Sequence, residues 1–183
     1  MGCDVATLKW KSAGRPLESG ERAAKIFAAN ERLNQMLIEH VAAEAWMAKP
    51  PGNVRSIAAI FAHVHNVRVK WIRLTAPHLK RPRLLGRGLS PQADVSAAFA
   101  QSAARCEEML IAAFDGRNGK GRIEKFVRDG WGGPLPAGPE MLCYMVAHEA
   151  HHRGQVSMIA HQLGFKLPNE VTSRLWNWEK LVR

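Results

Sequence analysis

Apolar residues recur at steps of three and four along four long stretches of the chain, which is the spacing of amphipathic α-helices. The predicted helices cover residues 21–48, 54–76, 91–115 and 139–164, and a shorter one covers residues 170–180. No stretch alternates apolar and polar residues with the period of two that indicates a strand. The sequence therefore predicts an all-α fold, a four-helix bundle with a short additional C-terminal helix.

Turn-forming residues separate these stretches. Pro50, Pro51 and Gly52 end the first helix, and Pro77 ends the second. Residues 116–139 are rich in Gly and Pro, and leave room only for a short element near residues 123–127. Residues 1–19 show no periodicity and are predicted to be an N-terminal extension. Residues 20–183 are predicted to form a single domain, a length that can bury one core.

The fourth predicted helix carries two histidines on its apolar face. At 100° per residue, His148 and His152 lie one turn apart in the middle of a stripe formed by Met141, Met145, Val156, Ile159 and Leu163. Burying two imidazoles without partners is costly, whereas two neutral imidazoles in this register can bind one divalent metal ion. The pattern favours a metal site over a pair of hydrogen-bonded core histidines.

A catalytic zinc site usually has three protein ligands and one open position. The second predicted helix offers His63 and His65, which lie about 100° to either side of the centre of its apolar stripe. Periodicity does not choose between them, and His40 on the first helix is also open. His151 lies about 60° from the histidine stripe and is predicted to be a surface residue or an outer neighbour of the ligands.

The same stretch matches the HExxH pattern of zinc peptidases, in which the glutamate is the general base. Such peptidases hold the substrate along a strand edge, and no strand is predicted here. Glu149 is also turned about 100° away from His148, so it is expected to accept a hydrogen bond behind the metal rather than to act on a bound water. Arg153 is expected to pair with Glu149 or with a carboxylate of another helix. Gly154 is expected to mark a close approach of two helices.

Charge and cysteine content narrow the function classes. The formal net charge is +10, but the basic residues are dispersed, with enrichment only in 68–87 and 117–128, and no nucleic-acid-binding motif accompanies them. We expect a solvated basic face, or attraction of an anionic small molecule, and no nucleic-acid or membrane partner. Three cysteines without a CxxC pair indicate reduced thiols, with Cys143 in a packing role. With no signal-peptide pattern, a cytoplasmic location is expected.

Three segments resemble a known family. They are residues 145–155, which end in His-Glu-Ala-His-His-Arg-Gly-Gln, residues 55–68 with Trp71 following, and the tail Leu167-Pro168-Asn169-Glu170-Val171-Thr172 with Leu175-Trp176. Together they resemble the DinB/YfiT-like family of metal-dependent enzymes over about residues 21–180. The resemblance implies a four-helix bundle that holds a three-histidine metal site. It assigns His63 as the ligand from the second helix, and His148 and His152 as the pair from the fourth.

The resemblance also implies a chemistry. We expect a divalent metal ion, Zn²⁺ first and Ni²⁺, Fe²⁺ or Mn²⁺ as alternatives. The expected activity is that of a metal-dependent transferase of the thiol S-transferase type, or of a hydrolase, acting on a small molecule. A low-molecular-weight thiol would be the co-substrate. The alternative is a non-catalytic metal-binding module of a stress response. A homodimer is expected because dimers are the commonest oligomers.

Overall fold

Four long helices dominate the computed structural model, which describes residues 18–86, 90–115, 123–128, 130 and 132–182. The elements are, in order, α1 (Ser19–His40), α2 (Ala43–Trp46), α3 (Ile57–Thr75), α4 (Gln92–Asp115), β1 (Lys125–Phe126), β2 (Leu135–Pro136), α5 (Pro139–Gln162), α6 (Asn169–Arg174) and α7 (Trp178–Leu181). Helices α1 and α3 each pack against both α4 and α5. The predicted all-α four-helix bundle is confirmed.

The predicted N-terminal extension falls on residues that are mostly outside this description. Residues 1–17 lie outside the described residues, and α1 already begins at Ser19. The division into an extension and one domain over 20–183 therefore stays a prediction. None of the helices in the described ranges is both long and apolar enough to cross a bilayer.

Local signals place the starts of the helices close to where they were predicted. The Ser56 hydroxyl accepts a hydrogen bond from the Ala59 amide at 3.3 Å and so caps α3. Pro139 occupies the first turn of α5, where no intrahelical N–H bond is lost. Gly138 precedes it with a φ of 119°, a conformation that favours glycine.

The first predicted helix is interrupted eight residues before its expected end. Val41 adopts an extended conformation, and the chain re-enters a helix at Ala43. The Gln92 side chain donates to the carbonyl oxygens of Ile38 and Val41 at 2.9 and 2.8 Å, so α4 satisfies groups that the end of α1 leaves free. The prediction of one continuous helix over 21–48 was wrong. The side chain that caps the end of α1 belongs to α4, so no residue near the break marks it in the sequence.

Two further details differ from the sequence-based expectation. The C-terminal helix is divided into α6 and α7, and Trp176 between them is 82% exposed. Strands β1 and β2 form a two-residue antiparallel ladder in which Phe126 faces Leu135. Strands this short show no periodicity, but the ladder buries Phe126 against Trp71, with ring centroids 5.5 Å apart.

No helix among the described residues makes the close approach that was expected at Gly154. Gly154 is exposed, and a Cβ atom built there would have no neighbour within 4 Å. Close packing occurs instead between α1 and α4 at Gly20, whose N–H donates to both carboxylate oxygens of Asp115 at 3.0 Å. A Cβ atom on Gly20 would come within 3.0 Å of the Ile111 Cα atom.

The apolar core consists of two clusters along the bundle. One contains Trp46, Phe61 and Phe99, and the other contains Phe27, Trp71, Phe126 and Met145. In α1, α3 and α5, polar residues occupy the turns between the two clusters. We call these residues the middle layer; they are Asn30, Glu31, Asn34, His63, His65, Arg68, His148, Glu149, His152 and Arg153. The middle layer thus lies between the two apolar clusters of the core.

Candidate metal centre

Three histidines of the middle layer meet between α3 and α5. The ring centroids of His148 and His152 are 4.6 Å apart, and those of His63 lie 5.9 and 4.9 Å from them. One ring nitrogen of each histidine lies within 4.8 Å of those of the other two. The structure therefore brings together the three residues that were proposed as metal ligands.

The donor set fits a divalent transition metal. Zinc–nitrogen bonds of about 2.0–2.1 Å in a tetrahedron put ligand nitrogens about 3.3 Å apart, so small side-chain rotations would close this cluster on an ion. The Nδ1 atom of His148 is buried and has no hydrogen-bond partner among the described residues. A buried nitrogen without a partner calls for an explanation, and a bound cation nearby would supply one. That these residues ligate a metal stays a prediction.

The protonation state of the cluster also suits a metal. Burial is the largest cause that lowers the pKa of both His63 and His148, to about 4 in each case. The nearby Arg55 adds to the shift at His63, and the neighbouring His152 adds to both. Burial likewise lowers the pKa of His152. The three imidazoles are therefore neutral at pH 7, which is the form that binds metal ions.

A glutamine holds one of these rings in place. The Nδ1 atom of His152 lies 2.8 Å from Oε1 of Gln155. Because an amide oxygen only accepts, Nδ1 carries the proton and Nε2 keeps its lone pair. His151 is exposed, which agrees with the surface position that was one of its two predicted roles. Its Nε2 atom lies 3.0 Å from the side-chain amide nitrogen of Gln155. Gln155 was not among the predicted site residues, although its position three residues after His152 places both on one helix face.

Glu149 does not have the role that was expected for it. It is fully buried and contacts none of the three histidines by a hydrogen bond. Its two oxygens accept from Nε and Nη2 of Arg68 at 2.7 and 2.6 Å. Glu149 Oε2 also accepts from the side chains of Asn30 and Asn34. A glutamate held in this way is not a general base, which is a second argument against the peptidase alternative.

Arg68 was expected on a solvated basic face, but it is fully buried. Besides Glu149 it contacts Glu31 of α1 at 2.7 Å. Burial raises the pKa of the Glu149 carboxyl, but the charge and hydrogen bonds of Arg68 outweigh this effect and hold that pKa below its usual value. The ion pair thus joins α1, α3 and α5.

Arg153 completes this buried set without bonding directly to Glu149. It donates to the side-chain oxygens of Asn30 and Asn34 at 2.7 and 3.0 Å, and both asparagines donate to Glu149. We call Asn30, Glu31, Asn34, Arg68, Glu149 and Arg153 the arginine–glutamate network. The expected pairing of Arg153 with a carboxylate is therefore indirect, through two amides.

His65 faces a different helix from His63. It is fully buried, its Nε2 donates to the carbonyl oxygen of Arg83 at 2.8 Å, and its Nδ1 contacts the Ser102 hydroxyl at 3.2 Å. Both of its nitrogens are thus used within the protein, which makes His65 a structural residue. His40 is exposed and contacts the Met36 carbonyl oxygen at the end of α1, so it takes no part in the cluster.

A cavity of about 450 Å³ adjoins the three histidines. Trp71 and Tyr144 supply its aromatic surface, and Tyr144 stacks on His148 with ring centroids 6.4 Å apart. The rest of the lining is mostly basic and polar: Arg55, Asn66, Val67, Lys70, Arg128, His151 and Gln155. The candidate ligands therefore face a space of a size that accommodates a small molecule.

Comparison with known protein families gives one match. The DinB family model matches residues 17–179 of the chain. The chain belongs to the DinB family. The four long helices of this DinB-family protein and all three clustered histidines lie inside the matched range. A search of curated proteins found no match.

The two described cysteines of this DinB-family chain, Cys106 and Cys143, are not part of the histidine cluster. Cys106 is fully buried in the apolar core, and burial raises the pKa of its thiol. Cys143 is exposed, so the packing role expected for it was wrong. Cys3 lies outside the described residues. Among the described residues, no cysteine lines the cavity.

Proposed function

We propose that the protein is a metal-dependent transferase of the thiol S-transferase type, or a hydrolase, that acts on a small molecule. A divalent metal held by His63, His148 and His152 would be its cofactor, with Zn²⁺ preferred over Ni²⁺, Fe²⁺ or Mn²⁺. The observation that carries the proposal is the meeting of three neutral imidazoles beside a cavity. Membership of the DinB family supports it.

Different residues of the chain would bind the metal, orient a ligand ring and exclude water. A bound divalent metal supplies a Lewis acid that lowers the pKa of a coordinated water or thiol. The three histidines provide neutral donors, and Gln155 keeps the Nε2 lone pair of His152 available. Trp71 and Tyr144 reduce contact with bulk water on one side of the cavity, which strengthens electrostatic interactions within it.

The cavity lining favours thiol transfer over hydrolysis. Its described residues include no Asp or Glu, so no carboxylate is placed to remove a proton from an attacking water. A metal-bound water with a pKa of about 7 is only partly ionised without a base, whereas a thiol, which starts from a pKa of about 8.5, would be fully ionised once bound, and the thiolate is itself the nucleophile. We therefore place a small thiol first as co-substrate.

The non-catalytic alternative, a metal-binding module of a stress response, differs in its coordination. Structural zinc sites generally have four protein ligands, whereas catalytic sites have three and one open position. Among the described residues, no fourth His, Cys, Asp or Glu joins the cluster. Three ligands beside a cavity support the enzyme more than the module.

The test combines metal analysis with a transfer assay. Purified protein should bind about one divalent ion per chain. The zinc-loaded protein should accelerate the reaction of small thiols with 1-chloro-2,4-dinitrobenzene above the uncatalysed rate, and removal of the metal should abolish the acceleration. Activity that persists without metal would reject the mechanism. Metal binding without activity toward thiols or model esters would favour the module. The homodimer and the cytoplasmic location stay predictions.

A further inference from the structure

The cavity beside the histidines carries a strong positive charge. Arg55, Lys70 and Arg128 line it, and the described residues of its lining include no Asp or Glu. Arg55 lies just before α3, Lys70 is on α3, and Arg128 follows β1. Three separate positions thus direct cations to one concave surface, and a divalent ion at the histidines would add to their charge.

Arg128 is positioned by two contacts and keeps a buried donor without a partner among the described residues. Its guanidinium lies over the Tyr144 ring, with the Cζ atom 4.6 Å from the ring centroid, and its Nη2 donates to the Gly133 carbonyl oxygen at 2.8 Å. The Nε atom is buried and has no hydrogen-bond partner among the described residues. Such a buried donor is costly unless a ligand satisfies it, so it points to an acceptor that binds there.

Arg55 brings a second charge close to the histidines. Its charge is among the causes that lower the pKa of both His63 and His152. Arg55 is exposed, and within the described ranges it forms no ion pair with an acidic side chain. It can therefore reach an anion that enters the cavity without breaking an existing pair.

We propose that Arg55 and Arg128 form an anion subsite, which holds a carboxylate or phosphate group of the substrate while its reacting atom faces the three histidines. The inference rests on the proposed function for the role of the histidines, and it narrows the substrate class to small anionic molecules. Arginine suits this task because its planar donors match the oxygens of carboxylate and phosphate. A cavity of about 450 Å³ favours a small molecule over a polymer.

The test uses two thiols of the same shape and different charge. We would measure the binding of 3-mercaptopropionate and of its neutral amide, 3-mercaptopropionamide, to the zinc-loaded full chain by isothermal titration calorimetry. The acid should bind about tenfold more tightly than the amide, because it gains charge-assisted hydrogen bonds. In the double variant Arg55→Gln/Arg128→Gln this preference should vanish while the amide binds as before. Arg81→Gln, an exposed arginine outside this cavity, is the matched control and should keep the preference.

Equal binding of acid and amide by the wild-type protein would overturn the subsite. Equal weakening of both thiols in the double variant would do so too, since it indicates a structural effect. If neither thiol binds, the thiol chemistry of the proposed function fails, and inorganic phosphate becomes the probe of the subsite. A shift of the Arg128 Nε–H signal in nuclear magnetic resonance spectra on adding phosphate, absent when chloride is added instead, would then support the subsite. No shift would overturn it.

Discussion

The middle layer contains two polar regions that the same pair of helices builds in opposite ways. In the arginine–glutamate network, Arg68 of α3 and Glu149 of α5 are fully buried and bonded to each other. In the histidine cluster, His63 of α3 faces His148 and His152 of α5 beside a cavity, and a buried nitrogen of His148 has no partner in the described structure. The sequence neighbours His148 and Glu149 thus lie on different faces of α5 and contribute to different regions.

The contrast separates structural polar groups from functional ones. Buried charges with partners hold helices in register, because removing one partner leaves the other charge buried without a counter-charge, which is strongly destabilising. Polar groups that are buried, neutral and unpartnered next to a cavity are instead available to a ligand. By this criterion Glu149 belongs to the scaffold, although its neighbour His148 belongs to the site.

The largest effect is expected from removing a candidate ligand. His148→Ala or His152→Ala leaves two donors, so affinity for Zn²⁺ should fall by more than about 100-fold, beyond the loss typical of an outer-sphere residue. Elemental analysis after dialysis against buffer measures the loss. His161→Ala, at an exposed position of the same helix, should retain the metal. Stoichiometric metal in His148→Ala would contradict the assignment.

Breaking the network should cost stability rather than metal. Glu149→Ala leaves the buried Arg68 with only Glu31 as an ionic partner, so the free energy of unfolding should fall by about 3–5 kcal/mol. Denaturant unfolding of the metal-free protein measures this change. The control Glu39→Ala, at an exposed position of α1, should stay within about 0.5 kcal/mol of wild type. A loss below about 1 kcal/mol in Glu149→Ala would show that the network does not hold the bundle.

Gln155 contacts His151 and His152 but is not a candidate metal ligand, so its substitution tests whether a residue beside the ligands affects metal binding. Gln155→Leu removes the acceptor for the His152 Nδ1–H group and should reduce zinc affinity by about 10–100-fold. Competition with a chelator of known affinity measures the change. Gln162→Leu, at an exposed position near the end of α5, provides the comparison and should bind zinc as wild type does. An unchanged affinity in Gln155→Leu would remove the positioning role.

The smallest effect is expected on the outer surface of α5, which belongs to neither region. Gly154 lies within the helix, and a Cβ atom there would meet nothing within 4 Å. Gly154→Ala should therefore raise the free energy of unfolding by about 0.5–1 kcal/mol through helix propensity alone. Thermal unfolding measures the gain, and zinc affinity should not change. A destabilised variant would contradict the prediction and mean that this surface has a contact beyond those of the described residues.

Most of the fold was predictable because its signals are local. Pro139 lies at the predicted start of α5, α3 begins at Ile57, three residues after its predicted start, and the apolar repeat indicates which face of each helix is buried. The end of α1 was not predictable in this way, because the Gln92 side chain that caps it is 51 residues from Val41 in the chain. The two-residue strands were too short to leave a pattern.

In the candidate site too, some features follow from local sequence signals and others depend on contacts between helices. The spacing of His148 and His152 places both on one face of α5 whatever surrounds it, so the sequence alone determined that pair. Periodicity left His63 and His65 open, the family resemblance assigned His63, and the structure agrees, with His63 facing α5 and His65 facing α4. Only the tertiary structure decided that Arg68 is buried against Glu149. The physical reason is that periodicity fixes a residue's angle about its own helix axis. The partner depends on how the neighbouring helices are rotated and spaced, and hydrogen bonds and coordination require positions correct to a few tenths of an ångström.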